Sequence, residues 1–576
     1  MLVFGDADDV IDPRQRLAEI AGGSLTLPQL IGESPAWRAT ELFLDAAQLA
    51  QGLTEIDFAD CGEDRESPLR RAAATLVLAA ARLLAGRAES RTLAEAVAAL
   101  SQAGLPRTVT AKRPEGYAFY ALYPEAYLEA AIPLRGQRAT VIGIRSIGLG
   151  LAALVAATVG DAELLSVRPV GPPFRRELRL APAYRDRLVG GESLRVVADE
   201  GPGLSGSSFA AVLDTLAAGG VAEKRVHLFP SHLGAPGPEA TAEAAERWPR
   251  LQRHVVSFDE LFLGGRPRRQ PLAAWFTDLL GPPVAPVEDI SGGAWRGRRA
   301  WGGQPPPAHL QQERRKFLLH TPKGTFLLKF VGLGRAGRAA AERAAQLAEA
   351  GFSPPVFGFR HGFLAERWVA GTPLPAAGLP RARLVAHLAR YLAFRAGRCP
   401  AAEGAGASPE ALGEMLVVNG TEALGPEAAS ALRRLAAHRP DRQPRRVMTD
   451  NRLHAWEWLV TAHGQLVKTD AIDHCAAHDL IGCQEITWDI AAAGVEFGLS
   501  EAERRELVAG VEEVGGIPVD REVLAFHEPC YLAFQLGYYS MAAATLSGVP
   551  AEQRLLAQRA AFYREALAAS LALNGD

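Results

Sequence analysis

Leu194-Arg195-Val196-Val197-Ala198-Asp199-Glu200-Gly201-Pro202-Gly203-Leu204-Ser205-Gly206-Ser207-Ser208 decides how the first half of the chain reads. A short β-branched run ends on two adjacent acids, passes into a Gly/Ser loop and continues into a helix expected over Ser207–Ala218. Each part has a chemical use. Glycines let backbone N–H groups close around a phosphate, serine hydroxyls add donors, and the helix N-terminus adds positive dipole for an anion. The paired carboxylates Asp199 and Glu200 can hold the two vicinal hydroxyls of a ribose and favour an adjacent Mg²⁺. A Gly/Ser turn after a strand is, by itself, more often an ordinary strand-to-helix connection.

Working outward, the same pattern recurs. Strands are expected at residues 139–144, 163–167, 194–198 and 225–229, separated by helical stretches, and this alternation argues for a parallel sheet. Residues 13–105 carry Leu and Ala at helical spacing, most clearly over 67–87 and 90–100, and read as a helical cap or oligomerisation region. Residues 264–307 are rich in Pro, Gly and Arg around one helix-like stretch at 271–280, which marks an interdomain connection. Beyond it, residues 316–320 and 325–331 form an expected hairpin about Pro322-Lys323-Gly324, a helix follows over 337–350, and the chain from Ser500 onward is mostly helical.

At 576 residues the chain exceeds what one hydrophobic core supports. A net charge of -3 leaves no basic excess for nucleic acid. The apolar runs are too short or too interrupted to cross a bilayer, residues 1–12 are acidic where a secretory signal would be basic, and five cysteines do not make a disulfide framework. A cytoplasmic protein acting on small-molecule substrates is expected, with no nucleic-acid or membrane partner; formation of a homo-oligomer is left open.

The Asp199-to-Ser208 segment resembles the phosphoribosyl-pyrophosphate motif of type I phosphoribosyltransferases, with Leu204-Ser205 where Thr-Gly is more usual. Upstream, Ala139-Thr140-Val141-Ile142-Gly143-Ile144-Arg145-Ser146-Ile147-Gly148 resembles the pyrophosphate loop of that family, in which Arg145 would assist the backbone donors. Residues 168–179, with four arginines, resemble its mobile covering loop. The resemblance implies displacement of pyrophosphate from the ribose anomeric carbon, with Asp199 and Glu200 as catalytic acids. Arg145, Ser146, Ile147, Gly201, Gly203, Ser205, Gly206, Ser207 and Ser208 would bind phosphoribosyl pyrophosphate. An acceptor base could stack on Tyr117, Phe119, Tyr120 and Tyr123, which read equally well as a core aromatic cluster.

The second half resembles the aminoglycoside phosphotransferases and related small-molecule kinases. Lys329 ends an apolar strand and Glu342 lies in the next helix, as for a lysine–glutamate pair that fixes ATP phosphates. Ser291-Gly292-Gly293 resembles a phosphate-covering turn, and Glu366-Arg367-Trp368-Val369-Ala370-Gly371-Thr372-Pro373 a hinge. Thr449-Asp450-Asn451-Arg452-Leu453-His454-Ala455-Trp456-Glu457 matches the catalytic loop in outline. Arg452 stands where the base aspartate belongs, Asp450 is the nearest candidate base, and Glu457 replaces the metal-binding Asn. Asp470 matches the metal-binding aspartate, and Asp489 a structural acid at a helix start. The resemblance implies ATP bound by Lys329, Glu342 and Glu366, and Mg²⁺ held by Asp470 and Glu457.

The group Asp473, His474, Cys475, His478, Asp479 and Cys483 also allows zinc, although polar residues lining a cleft are the simpler reading. The expected fold class is α/β: a phosphoribosyltransferase-like parallel-sheet domain with a helical N-terminal region, plus a protein-kinase-like α+β domain. The boundaries are 1–110 helical, 111–262 phosphoribosyltransferase-like, 263–285 linker and 286–576 kinase-like. The activity implied is a bifunctional transferase using phosphoribosyl pyrophosphate, ATP and Mg²⁺. The alternatives are a regulatory nucleotide or phosphoribosyl-pyrophosphate sensor with a degenerate kinase-like half, and a kinase that uses the first site for substrate recognition.

Overall fold

The computed structural model describes all residues except 6–7, 27–34, 173, 204, 238, 265–268, 403, 473, 547 and 574–576. The chain divides into two compact units, one of Ala7–Trp275 with Gly332–Gly337, the other of Met1–Asp6, Phe276–Val331 and Arg338–Asp576. Among the described residues no helix is long and apolar enough to cross a membrane.

In the first unit, strands β1 (Asp8–Ile11) and β2 (Val109–Lys112) pair antiparallel. Strands β3 (Ala139–Ile144), β4 (Ala162–Val167), β7 (Leu194–Ala198), β8 (Val226–Phe229) and β9 (Gln252–Arg253) form a parallel sheet in the order β4-β3-β7-β8-β9. Between them in sequence, β5 (Pro169–Val170) and β6 (Glu177–Leu178) make a two-stranded antiparallel ribbon within the arginine-rich stretch. Every residue of β3 is buried, as suits a central parallel strand covered on both faces. One face packs Ile142, Ile144 and Val197 against Phe209 and Val212 of helix Ser207–Ala218.

Helix Gly148–Val159 is buried along its whole length. A helix this apolar needs cover on all sides, and the N-terminal helices supply it. At Gly150 an added Cβ would lie 2.9 Å from Ala47 of helix Pro35–Cys61, so a larger residue would push the two helices apart. The N-terminal helical region therefore belongs to the sheet's own core rather than standing apart, and the expected division at residue 110 is replaced by one unit. Residues 1–5 are not part of it: Leu480 N–H donates to the Val3 carbonyl at 3.0 Å and Gly5 N–H to that of His478 at 3.0 Å, inside the second unit. This pairing was not legible because the partners lie at opposite ends of the sequence.

The second unit is built on an antiparallel sheet of β10 (Glu288–Asp289), β11 (Lys316–Thr321), β12 (Gly324–Phe330), β13 (Val356–Arg360) and β14 (Phe363–Arg367), in the order β10-β11-β12-β14-β13. On β12 the residues Phe326, Leu328 and Phe330 alternate with Leu327 and Lys329, so one face is apolar and Lys329 projects from the other. Strands β15 (Thr372–Pro373), β16 (Trp458–Val460) and β17 (Leu466–Lys468) form a smaller sheet. Around it lie helices Arg381–Arg398, Pro409–Leu424, Ile486–Glu496, Glu501–Gly515, Arg521–Thr545 and Pro550–Leu573, whose apolar faces share one core.

Within that core Asp489, fully buried near the start of helix Ile486–Glu496, accepts the backbone N–H groups of Asp450 at 2.7 Å and Asn451 at 2.9 Å. Asn451 has φ +64°, a left-handed conformation that Asn tolerates better than most residues. Asp489→Ala leaves two buried donors without an acceptor, each worth ~1–3 kcal/mol, and is expected to destabilise this unit by about 3 kcal/mol in urea unfolding. An unchanged midpoint would show that the carboxylate does not hold this loop.

Candidate functional site

In the first unit, β7 delivers Asp199 and Glu200 to its C-terminal end, where open parallel sheets place their ligands. Tyr127 Oη donates to the Asp199 carbonyl at 2.9 Å, and Gly116 N–H donates to Glu200 Oε2 at 3.1 Å. Burial raises Asp199 to about 7, against the opposing pull of a backbone N–H and of Arg176. Burial likewise raises Glu200 to about 8, reinforced by Glu115 and Asp199. Two acids so placed gain from any cation brought between them.

The following loop turns through Gly203 and Gly206, each at φ +64°, a region where a Cβ is costly. Gly206 N–H donates to the Pro202 carbonyl at 3.0 Å and Ser207 N–H to Ser205 Oγ at 3.2 Å. The amides of Gly206 and Ser207, expected as phosphate donors, are thus spent inside the turn, which closes on itself before helix Ser207–Ala218 starts. Ser208 and Gly201 are half-buried there, and Leu204 lies outside the described residues.

The strand-to-helix turn upstream is very tight, with a cis Arg145–Ser146 peptide. A Cβ on Gly143 would lie 2.4 Å from the Gly148 carbonyl oxygen, and one on Gly148 would lie 2.7 Å from that of Ala198. Glycine is required at both positions. Gly148 thereby brings the turn against Asp199, whose Oδ1 would sit 3.4 Å from such a Cβ. Ser146 and Ile147 line a small hollow of about 20 Å³ together with Gln51, Lys112 and Tyr117.

Arg145 departs from its expected role. Its guanidinium is buried, bonded to Glu55 Oε1 at 2.7 Å, Asp64 Oδ1 at 2.7 Å and Ser166 Oγ at 3.2 Å. Burial opposes its charge, and Asp64 and Glu55 more than restore it. An arginine held by two carboxylates is not a pyrophosphate donor; it braces the turn from beneath. The aromatic stretch also resolves towards core packing: Tyr117, Phe119 and Tyr123 are buried, and Tyr123 packs edge-on against Phe262 at 5.0 Å. Tyr120 alone of the four is exposed.

In the second unit, Lys329 Nζ lies 2.8 Å from Asp470 Oδ1, across 141 positions of sequence. Asp470 follows β17, and Lys468 at the end of that strand is fully buried with its ammonium 2.6 Å from Glu457 Oε2 and 3.4 Å from Asp450 Oδ1. Donor atoms of Glu457, Asp470 and His474 lie within 4.8 Å of one another. Burial would raise Asp470, yet Lys329 and then His474 hold it well below the usual carboxylate range. The expected glutamate partner of Lys329 is displaced: Glu342 is exposed on helix Gly334–Glu349, and the lysine's acid is Asp470. Glu366 is buried on β14, opposite Leu327.

Asp450, expected as the nearest candidate base, is engaged by buried partners. It is buried, takes the Tyr391 hydroxyl on Oδ2, and is flanked by Lys468 and by Arg395 at 3.5 Å. Burial opposes its charge, but Lys468, His474 and Arg395 outweigh this and depress its pKa, the reverse of what proton abstraction needs. Arg452, in the expected base position, pairs with Asp479 at 2.6 Å and lies over the Tyr538 ring at 4.0 Å. No hydroxyl-activating carboxylate therefore stands at residue 452.

His474 and His478 do not share a helical face. His474 starts the short turn His474–Ala476, whereas His478 packs on Phe4 with ring centroids 5.2 Å apart. The zinc grouping expected from their spacing is not formed among the described residues, and Asp473 lies outside them. Sequence reasoning passed over Lys468, Tyr391 and Arg395. A lysine two positions before Asp470 on an otherwise apolar strand was the one available signal.

No family model matches the chain, and no curated protein matches it. Among solved structures it is similar to a choline kinase from Streptococcus pneumoniae, at 13% identity over 52% of this chain and 96% of that one, with a TM-score of 0.32. A spectinomycin phosphotransferase matches at 12% identity over 51% of this chain and 96% of that one, TM-score 0.34. A macrolide 2'-phosphotransferase from Brachybacterium faecium matches at 18% identity over 43% and 88%, TM-score 0.31. The reading of the cleft below rests on Lys329, Asp470 and Glu457 rather than on these likenesses.

Proposed function

We propose that the chain is a fused transferase, whose second unit binds Mg-ATP and passes its terminal phosphoryl group to a small molecule, and whose first unit binds phosphoribosyl pyrophosphate with Mg²⁺. The observation that carries the reading is the Lys329–Asp470 contact at 2.8 Å with Glu457 beside it. A buried strand lysine supplies a fixed positive charge for phosphate oxygens, and two carboxylates supply oxygen ligands for a hard cation. The donor set fits such an ion: the lysines take Oδ1 of Asp470 and Oε2 of Glu457, which leaves the second oxygen of each to the cation. A bound Mg²⁺ would offset charge on the phosphate oxygens. Phosphoryl transfer depends mainly on positioning and electrostatics, so the loss of a carboxylate at residue 452 lowers turnover more than it lowers nucleotide binding.

In the first unit, the support is the pair of uncompensated acids, Asp199 and Glu200, beside the Gly148 turn. These carboxylates would take the ribose hydroxyls and a Mg²⁺, while Ser208 in the first turn of the helix would offer a donor to the 5'-phosphate.

One observation favours a second reading, a nucleotide sensor: the Arg452–Asp479 ion pair in the place of a base. Incubation of the full chain with phosphoribosyl pyrophosphate, ATP, Mg²⁺ and a metabolite extract, followed by mass spectrometry, separates the two. New phosphorylated or phosphoribosylated species are expected. Tight binding of both ligands with no product would instead establish the sensor.

A further inference from the structure

His474 stands beside Glu457 and Asp470, and the nucleotide-binding reading gives it no role. Its Nδ1 lies 3.1 Å from the backbone carbonyl of Asp450. A carbonyl can only accept, so this contact places a proton on Nδ1, and in the neutral ring Nε2 is then the nitrogen that could take a metal. A histidine whose other ring nitrogen is tied to a backbone carbonyl is the arrangement by which proteins orient imidazole towards a metal. Asp450 Oδ1 lies farther from Nδ1, at 3.7 Å, with the Lys468 ammonium 3.4 Å from that oxygen.

Resting on the cation-binding reading above, we infer that Glu457, Asp470 and His474 form one mixed nitrogen–oxygen centre selective for a transition-metal divalent cation over Mg²⁺. The juxtaposition is the reason: one donor atom from each of the three lies within 4.8 Å of the other two, a spacing at which a single ion reaches all of them. Mg²⁺ prefers oxygen ligands and keeps several waters, and it gains little from an imidazole. First-row transition ions gain from imidazole beside carboxylates, and Mn²⁺, the weakest binder of that series, is the strictest probe of the preference. Glu457 comes from the turn Ala455–Glu457, and Asp470 and His474 from the connection that follows β17, so two stretches of chain converge on one point. Lys329 and Lys468 each take one oxygen of these carboxylates, Oδ1 of Asp470 and Oε2 of Glu457. The imidazole therefore decides which ion the centre prefers.

The test is direct metal binding by the full chain without nucleotide, read as the free Mn²⁺ signal in electron paramagnetic resonance and as Mg²⁺ heat in calorimetry. Wild-type protein is expected to bind one Mn²⁺ at this centre at least tenfold more tightly than Mg²⁺. His474→Ala should weaken Mn²⁺ by ten- to a hundredfold while changing Mg²⁺ by less than twofold. His474→Gln, which can still donate to the Asp450 carbonyl and keeps the turn filled, should show the same loss of preference, so that a folding defect in the alanine variant does not decide the matter. Equal Mn²⁺ affinity in wild type and His474→Gln, or no preference for Mn²⁺ over Mg²⁺ in wild type, overturns the inference. Mg-ATP binding is measured in parallel with Lys329→Ala. If ATP binding fails while His474-dependent Mn²⁺ binding persists, the nucleotide reading falls and the metal centre stands; the opposite pattern has the opposite meaning.

Discussion

Asp199→Asn combined with Glu200→Gln lowers the affinity of the full chain for phosphoribosyl pyrophosphate in Mg²⁺ by about 100-fold or more, about 3 kcal/mol. Both acids are half-buried, and burial holds them near 7 and 8. The ligand's cation and its ribose hydroxyls would relieve that burden, and the amide replacements remove both the charge and the acceptors while keeping the shape. The same groups set a pH dependence in the ligand-free protein. Their folded values lie above the ordinary acid range of about 4, so between these limits the native state binds protons that the unfolded chain has released. Stability from this source is therefore full below about pH 4 and is lost as pH rises through 7 and 8. The melting temperature of the ligand-free wild type should fall from pH 6 to pH 9 more steeply than that of the double variant. Parallel slopes, with undiminished ligand affinity by calorimetry, would remove both acids from the site.

Lys329→Ala has the second large effect, a loss of at least about 30-fold in Mg-ATP affinity, about 2 kcal/mol for a charge-assisted hydrogen bond to phosphate. Asp470→Asn should match it in the presence of metal and have little effect on nucleotide affinity in EDTA, because its part is to hold the cation. Arg452→Ala is the contrasting case. Its guanidinium is already committed to Asp479 and Tyr538, so its removal acts on the loop rather than on phosphate. If Lys329→Ala binds ATP as wild type does, the lysine's contact with Asp470 is structural and the nucleotide lies elsewhere.

The residues that were legible are those whose local sequence states their role. The parallel strands announce themselves by β-branched runs with helices between, and Lys329 and Asp470 by polar groups closing apolar strands. Lys329 was assigned the wrong acid because its partner lies 141 positions away while Glu342 lies in the very next helix, Gly334–Glu349. Arg145 was misread for a similar reason: its carboxylate Asp64 is 81 positions upstream in a stretch whose periodicity speaks only of helix. Asp450 had the right residue type in nearly the right place, and only the surrounding Tyr391, Arg395 and Lys468 show it to be a buried counter-charge. The phosphate loop looked open in sequence, but Ser205 Oγ and the Pro202 carbonyl take two of its amides once the turn is formed.

The central claim, that Asp470 and Glu457 hold a cation beside a lysine that receives nucleotide phosphates, is tested most directly by calorimetric titration of the wild-type chain with ATP in Mg²⁺ and again in EDTA. One saturable site that weakens sharply without metal is the predicted result. Absence of binding at millimolar ATP, or equal affinity with and without metal, would contradict it.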